Sequence, residues 1–278
     1  MVPPIARRFV AGETAAEALE HVRVISADGI GGIVNLLGEH YTDRSAVEED
    51  TQAYLDLCAD IARTELPACV SVKPTQLGLD LGEALFREQL GRIVDAAADG
   101  DVFVWLDMEG SGTTEPTVAA FEAMAAEYPH GVGVCLQSNL RRTARDIERT
   151  ADVPGKIRLV KGAYREPEEL AYTKAQRVNE AFRGNLESLV RLRADGIAIG
   201  THDPDMLAYA SQLKAVHDTP IEYQFLMGVN EEKQCDLTAD YPVYQYVPYG
   251  PRWFAYFRRR AMERSENLVF ALRAILNR

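Results

Sequence analysis

Short apolar runs alternate with longer amphipathic segments along the whole chain, and this alternation limits the fold more than any other feature. The runs at 32–37, 69–73, 102–108, 131–137, 157–163, 197–202, 221–226 and 244–247 predict eight strands. Helical periodicity fills the intervals at 44–66, 82–99, 116–128, 140–150, 168–194, 204–216 and 230–239, and a last helix is expected over 252–275. Asp43, Asp80 and Ser138 are placed to cap the first, second and fourth of these helices. Strand–helix alternation calls for a parallel sheet, because each parallel connection needs a crossover and helices supply it. The strands are near-continuous apolar runs, as strands buried on both faces are. Eight units in about 250 residues suit a closed (βα)8 barrel better than an open doubly wound sheet, which stays the alternative. One domain over 1–278 is expected, with 1–30 as a short helical lead-in.

Several functions are excluded early. Gly29-Ile30-Gly31-Gly32 has the wrong spacing for a dinucleotide-binding G-x-G-x-x-G and precedes a strand, and no P-loop occurs. Thirty Lys and Arg stand against 42 Asp and Glu, a formal charge of -12, so no nucleic-acid partner is expected and an anion needs a local basic cluster. Cys58, Cys69, Cys135 and Cys235 lack C-x-x-C spacing, which speaks for reduced thiols in a cytoplasmic protein. Arg7-Arg8 is followed by no apolar run, so neither a signal peptide nor a membrane span is expected.

A barrel of this kind works at the C-terminal ends of its strands. There the chain carries Lys73, Asp107 with Glu109, Gln137, Lys161, Thr201-His202-Asp203, Gln224 and Tyr246, with Arg158 and Glu222 lower on their strands. Alternation puts Arg158 on the lumen face or on the outer face against a helix, and the pattern alone leaves both open. Asp107 and Glu109, two apart on a strand, are expected to face the same way. Metal ligation by this pair with His202 is the weaker reading, since oxygen-rich sites want more carboxylates. Pairing with nearby cations is the stronger one, because buried charges need partners. On the last helix Tyr256, Arg259, Arg260 and Glu263 fall within an arc of about 100°, with Arg258 nearly opposite. Two arginines flanked by a tyrosine and a glutamate suit a carboxylate clamp with its own counter-ion; the plain alternative is a basic surface run.

These segments together resemble the monofunctional proline dehydrogenase family. The matching pieces are Val70-Ser71-Val72-Lys73 with Thr75-Gln76-Leu77-Gly78, Leu106-Asp107-Met108-Glu109 and Arg158-Leu159-Val160-Lys161-Gly162-Ala163-Tyr164. They continue through Thr201-His202, the run 222–228 and Tyr246-Val247-Pro248-Tyr249-Gly250 to Arg259-Arg260 and Glu263. The resemblance implies a distorted TIM-like barrel with an additional C-terminal helix over its mouth and FAD across the strand ends. It implies that Arg259, Arg260 and Lys73 grip the carboxylate of L-proline, that Glu263 holds the arginine pair, and that Leu226, Tyr246 and Tyr256 wall the ring. Asp107 would order the substrate pocket. Arg158 would lie near the flavin N5, and Lys161 and Gly162 near the pyrophosphate. Gln137, Ala163, Tyr164, Thr201, His202 and Gln224 would line the rest of the cofactor. The reaction implied is oxidation of L-proline to 1-pyrroline-5-carboxylate, the first step of proline catabolism to glutamate. Electrons would pass to a quinone or another acceptor, with peripheral contact on the inner face of the membrane left open. The product would go to a separate pyrroline-5-carboxylate dehydrogenase. The chain starts abruptly compared with relatives, and Asp203 stands where they commonly carry asparagine. Two rivals compete: a barrel lyase using Lys73 or Lys161 as a Schiff base, and a catalytically silent ligand-binding barrel.

Overall fold

A computed structural model describes residues 2–193, 196–217 and 219–263, the last five as helical backbone only. Helix α1 (Ala15–Ser26) leads into β1 (Ile30–Leu36), followed by α2 (Arg44–Ala62), β2 (Ala68–Val72), α3 (Glu83–Asp99) and β3 (Val104–Leu106). Then come α4 (Thr114–Glu127), β4 (Val132–Gln137), α5 (Thr143–Arg149), β5 (Lys156–Val160), α6 (Ala175–Leu192) and β6 (Ile197–Gly200). The chain continues through α7 (Pro204–Val216), β7 (Ile221–Leu226), α8 (Glu231–Leu237), β8 (Val243–Tyr249) and α9 (Trp253–Glu263). All neighbouring strands pair in parallel, in chain order, and β1 closes on β8 from Ile30↔Val243 to Leu36↔Tyr249. The closed barrel thus replaces the doubly wound alternative, and with it the sheet has no edge to protect.

Strand alternation divides the interior in two. One set of side chains (Val34, Val70, Val104, Val132, Ile157 and Ile197 among them) packs outward against the helices. The other faces the lumen, where Ile33, Cys69, Trp105 and Ala198 cluster. Trp105 fits because its neighbour on β4 is Gly133: a Cβ there would lie 2.6 Å from the indole. Among the described residues, no helix is long and apolar enough to cross a membrane.

Most expected elements appear, and the departures have local causes. Asp43 caps α2 as expected, its carboxylate accepting from Ser45 N. Asp80 does not cap α3, whose N-cap is Gly82; its carboxylate instead meets His40 Nδ1 at 2.8 Å. Ser138 does not cap α5 either, because its N–H still donates to Val160 O and the helix begins only at Thr143. The third strand stops at Leu106, so Asp107 and Glu109 lie beyond it, where strand alternation no longer sets which way they face. The fifth ends at Val160, two residues before Gly162 takes φ +114. The sixth ends at Gly200, because Asp203 caps α7 through Asp205 N and Met206 N. The lead-in 1–30 contains α1, held by a capping box between Thr14 and Glu17, and its last residue already begins β1.

Helix α9 packs at the mouth. Its Tyr256 is buried in a cluster with Val2, Ala6, Val10 and Leu37, the last just past the C-terminal end of β1.

Candidate active site at the barrel mouth

Asp107 is the hub. Its Oδ1 accepts from Ser71 Oγ at 2.8 Å and from Arg158 Nη1 at 2.6 Å, and its Oδ2 accepts from the Tyr246 hydroxyl at 2.6 Å. Three strands, β2, β5 and β8, thereby converge on one carboxylate following a fourth, β3. Burial, and then the Asp107 charge, pushes the Tyr246 phenol well above its ordinary value, so it stays a donor.

Arg158 faces the lumen, which decides the choice left open by the sequence. Only 5% exposed, it places its guanidinium 4.4 Å over the Trp105 ring and donates from Nε to Gln224 Oε1 at 2.5 Å. Its Nη2 is buried without a hydrogen-bond partner among the described residues. A buried cationic donor with nothing to bind is expensive unless a ligand completes it.

Lys73, also buried, meets Glu39 at 3.0 Å. Burial works against its charge, but Tyr164, Asp107, Glu39 and Glu109 together outweigh it and hold the ammonium above the ordinary lysine range. A Schiff-base lysine needs the opposite shift, which counts against the lyase reading for Lys73. Lys161 is likewise engaged, with Asn179 at 2.6 Å and with Asp203.

Glu109 accepts from Thr75 N at 2.9 Å and from Thr75 Oγ1 at 2.7 Å, and burial raises its carboxyl while Lys73 partly opposes the rise. It therefore fixes the turn after β2 and does not pair with Asp107's partners. Glu39, His40 and Glu109 offer ligand atoms within 4.8 Å of one another, yet each already has a protein partner in Lys73, Asp80 and Thr75.

Gln137 bridges the rim, donating to Glu109 O at 2.8 Å and accepting from Ala163 N at 3.3 Å. Beside it, Ser138 Oγ and Asn139 Oδ1 are buried polar atoms without partners among the described residues. Gly162 packs on Asn139 so closely that a Cβ would fall 2.0 Å from Oδ1. Thr201 is buried and its hydroxyl accepts from Asp203 N at 3.2 Å, while the His202 ring lies 5.7 Å from Phe225. Leu226, at the end of β7, is partly exposed and pairs in register with Tyr246. Gln224 has both ends of its amide engaged, by Arg158 and by Glu222. The side chains of Arg259, Arg260 and Glu263 lie outside the described residues.

Orphaned donors and acceptors at one rim, a glycine where a Cβ would crowd an asparagine, and a cation aimed without a target fit an extended polar cofactor. Sequence reasoning missed Glu39, Ser138 and Asn139. Glu39 was discoverable: it is the first charged group after the apolar run 32–37, set two residues beyond it by Gly38, past where a strand mouth is normally inspected.

The comparisons with known proteins bear on this geometry. A family model described as Proline dehydrogenase matches residues 18–273. The chain belongs to the proline dehydrogenase family. It is 35% identical over 277 residues to Proline dehydrogenase 1 of Bacillus subtilis (strain 168), covering 98% of this chain and 91% of that protein. It is 31% identical over 281 residues to Proline dehydrogenase of Deinococcus radiodurans, covering 98% and 90%. Among solved structures, proline utilization A from Bdellovibrio bacteriovorus aligns with TM-score 0.86 at 22% identity, over 93% of this chain and 32% of that one. Proline utilization A from Corynebacterium freiburgense aligns with TM-score 0.81 at 21% identity, over 95% and 31%. The chain thus spans about a third of those longer proteins, and they share its barrel. As a proline dehydrogenase family member it is an oxidoreductase directed at proline.

Proposed function

We propose that the chain oxidises L-proline to 1-pyrroline-5-carboxylate with FAD as cofactor, the electrons passing on to a quinone or a comparable acceptor. The observation that carries the reading is the buried Nη2 of Arg158, without a hydrogen-bond partner among the described residues, beside the Asp107–Tyr246 pair. Bound FAD would supply the two-electron acceptor, taking a hydride from the ring carbon beside nitrogen as the C=N bond forms.

The protein's part is orientation and charge. Arg158 would meet the flavin near N5, Lys161 and Gly162 would lie near the pyrophosphate, and Ala163 and Tyr164 would line the rest of the cofactor. Gln137, Thr201, His202 and Gln224 would complete the cofactor's lining. Lys73, kept cationic by its carboxylate neighbours, would hold the substrate carboxylate with Arg259 and Arg260, and Glu263 would hold that pair. Leu226, Tyr246 and Tyr256 would wall the ring and fix its reacting carbon, which is positional catalysis. The amine must lose its proton before hydride can leave. Asp107 is committed to three donors, so it orders the pocket and is not assigned as the base. The product would leave for a separate pyrroline-5-carboxylate dehydrogenase.

The test is a visible spectrum of the purified protein before and after anaerobic addition of L-proline. A flavin spectrum that bleaches is expected; a colourless protein, or colour indifferent to proline, sinks the proposal. Arg259→Ala or Arg260→Ala should raise the proline KM about tenfold to a hundredfold with FAD retained, since a lost hydrogen bond to a charged group costs about 1.5–3 kcal/mol. Unchanged steady-state kinetics in both would remove the clamp.

A further inference from the structure

Below the mouth, the lumen holds a column of hydrogen bonds whose lower members, Lys156 and Glu222, have no part in the reaction as described. At the N-terminal end of the barrel Lys156, the first residue of β5, donates to Glu222 Oε2 at 2.6 Å; its side chain is 34% exposed, that of Glu222 8%. The other Glu222 oxygen accepts from Gln224 Nε2 at 2.6 Å. Gln224 Oε1 accepts from Arg158 Nε at 2.5 Å, and Arg158 Nη1 donates to Asp107 at 2.6 Å. The column therefore runs from the N-terminal end of the barrel to the reacting end through side chains of β5 and β7 and Asp107 just past β3.

Its polarity is fixed at both ends, since Arg158 only donates and Glu222 only accepts. A carboxylate only accepts, so Glu222 draws the amide nitrogen of Gln224 toward itself and leaves the amide oxygen facing Arg158. Turned over, the amide would set N–H against the Arg158 N–H and oxygen against oxygen. With Nε fixed by Gln224, Nη1 fixed by Asp107 and the Trp105 ring beneath, the direction of the remaining Nη2 edge is determined.

We propose that Glu222, with Lys156 as its counter-ion, is a positioning residue for the cofactor site. It anchors the Gln224 amide nitrogen, which holds the amide oxygen on Arg158, and through it aims the free edge of Arg158. The inference deepens the flavin reading above and rests on it. A purely structural Lys156–Glu222 pair would close the base of the barrel and affect stability alone.

The test uses the flavin-loaded protein. Glu222→Gln keeps the volume but has one acceptor oxygen for two donors, Lys156 and the Gln224 amide nitrogen, so a donor is left facing a donor and Gln224 loses its fixed position. Flavin reduction by L-proline should slow about tenfold or more, as small misplacements of a positioned group do. The visible maximum and the midpoint potential should shift, with the proline KM within about twofold of wild type. The exchange Glu222→Gln with Gln224→Glu restores an acceptor for every donor: the carboxylate now accepts from Arg158, and the amide oxygen turns to Lys156. It should recover most of the lost rate. Glu222→Gln that loads flavin and matches wild type in spectrum and reduction rate overturns the inference. So does an exchange variant no better than Glu222→Gln, or one that fails to load flavin. A colourless wild-type protein brings down the flavin reading itself, whereas a yellow wild type with an indifferent Glu222→Gln brings down only the column.

Discussion

Asp107→Ala is expected to lose about 3–5 kcal/mol of stability and to reduce proline turnover at least a hundredfold. Removing one partner of a buried ion pair leaves the other charge uncompensated, and that penalty is of this size. Arg158 would keep only Gln224, far too weak an acceptor for a guanidinium held 5% exposed. The Tyr246 hydroxyl and Ser71 Oγ would lose their acceptor in the same step. Turnover falls further than stability requires, because the group fixing Arg158 and the group fixing Tyr246 are one and the same. Asp107→Asn should fall between the two: its amide oxygen still accepts from Arg158 and Ser71, but its nitrogen then faces the Tyr246 oxygen. Urea unfolding and steady-state turnover of both variants check this. An Asp107→Ala protein with the wild-type midpoint and turnover within twofold would show that the hub is not one.

The fold was largely legible because its cause is periodic. Eight apolar runs separated by amphipathic ones leave few topologies, and β7 and α7 fall where the pattern puts them. Legibility fails where a single tertiary partner overrides a local preference. Asp80 has the residue type of a cap, but His40 claims its carboxylate. Ser138 likewise has the type of a cap, but Val160 O keeps its backbone extended. The segment 161–174 reads as strand followed by helix, yet Gly162 breaks the first and α6 starts only at Ala175. At the site, residue identities were readable while their pairing was not. Asp107, Glu109 and Lys73 stand out as strand-end charges, and pairing the two acids with local cations is the natural guess. The structure splits them: Arg158 takes Asp107, Thr75 takes Glu109, and Lys73 finds Glu39. No spacing rule contains that choice, because it depends on the lumen register of strands far apart in sequence.

Gly162→Ala is expected to strip the protein of flavin, for reasons that separate cleanly. The residue sits at φ +114, where a side chain costs about 1–2 kcal/mol. Its Cβ would also stand 2.0 Å from Asn139 Oδ1 and 2.3 Å from Cγ. Asn139 cannot retreat by moving its backbone, since its N–H donates to Lys161 O at 2.8 Å and its carbonyl accepts from Tyr172 N at 2.7 Å. Such overpacking typically costs about 1–3 kcal/mol, and it is relieved by turning the Asn139 amide away or by displacing the stretch 161–164 proposed to run along the cofactor. The steric share depends on Asn139 and the backbone share does not. Asn139→Ala combined with Gly162→Ala should therefore recover stability by about 1–3 kcal/mol over Gly162→Ala alone, leaving the φ cost in place. A double-mutant cycle read by thermal unfolding and by flavin content measures that coupling. Additive effects of the two substitutions, or a Gly162→Ala protein that keeps its full flavin complement, would show that this glycine is not what shapes the rim.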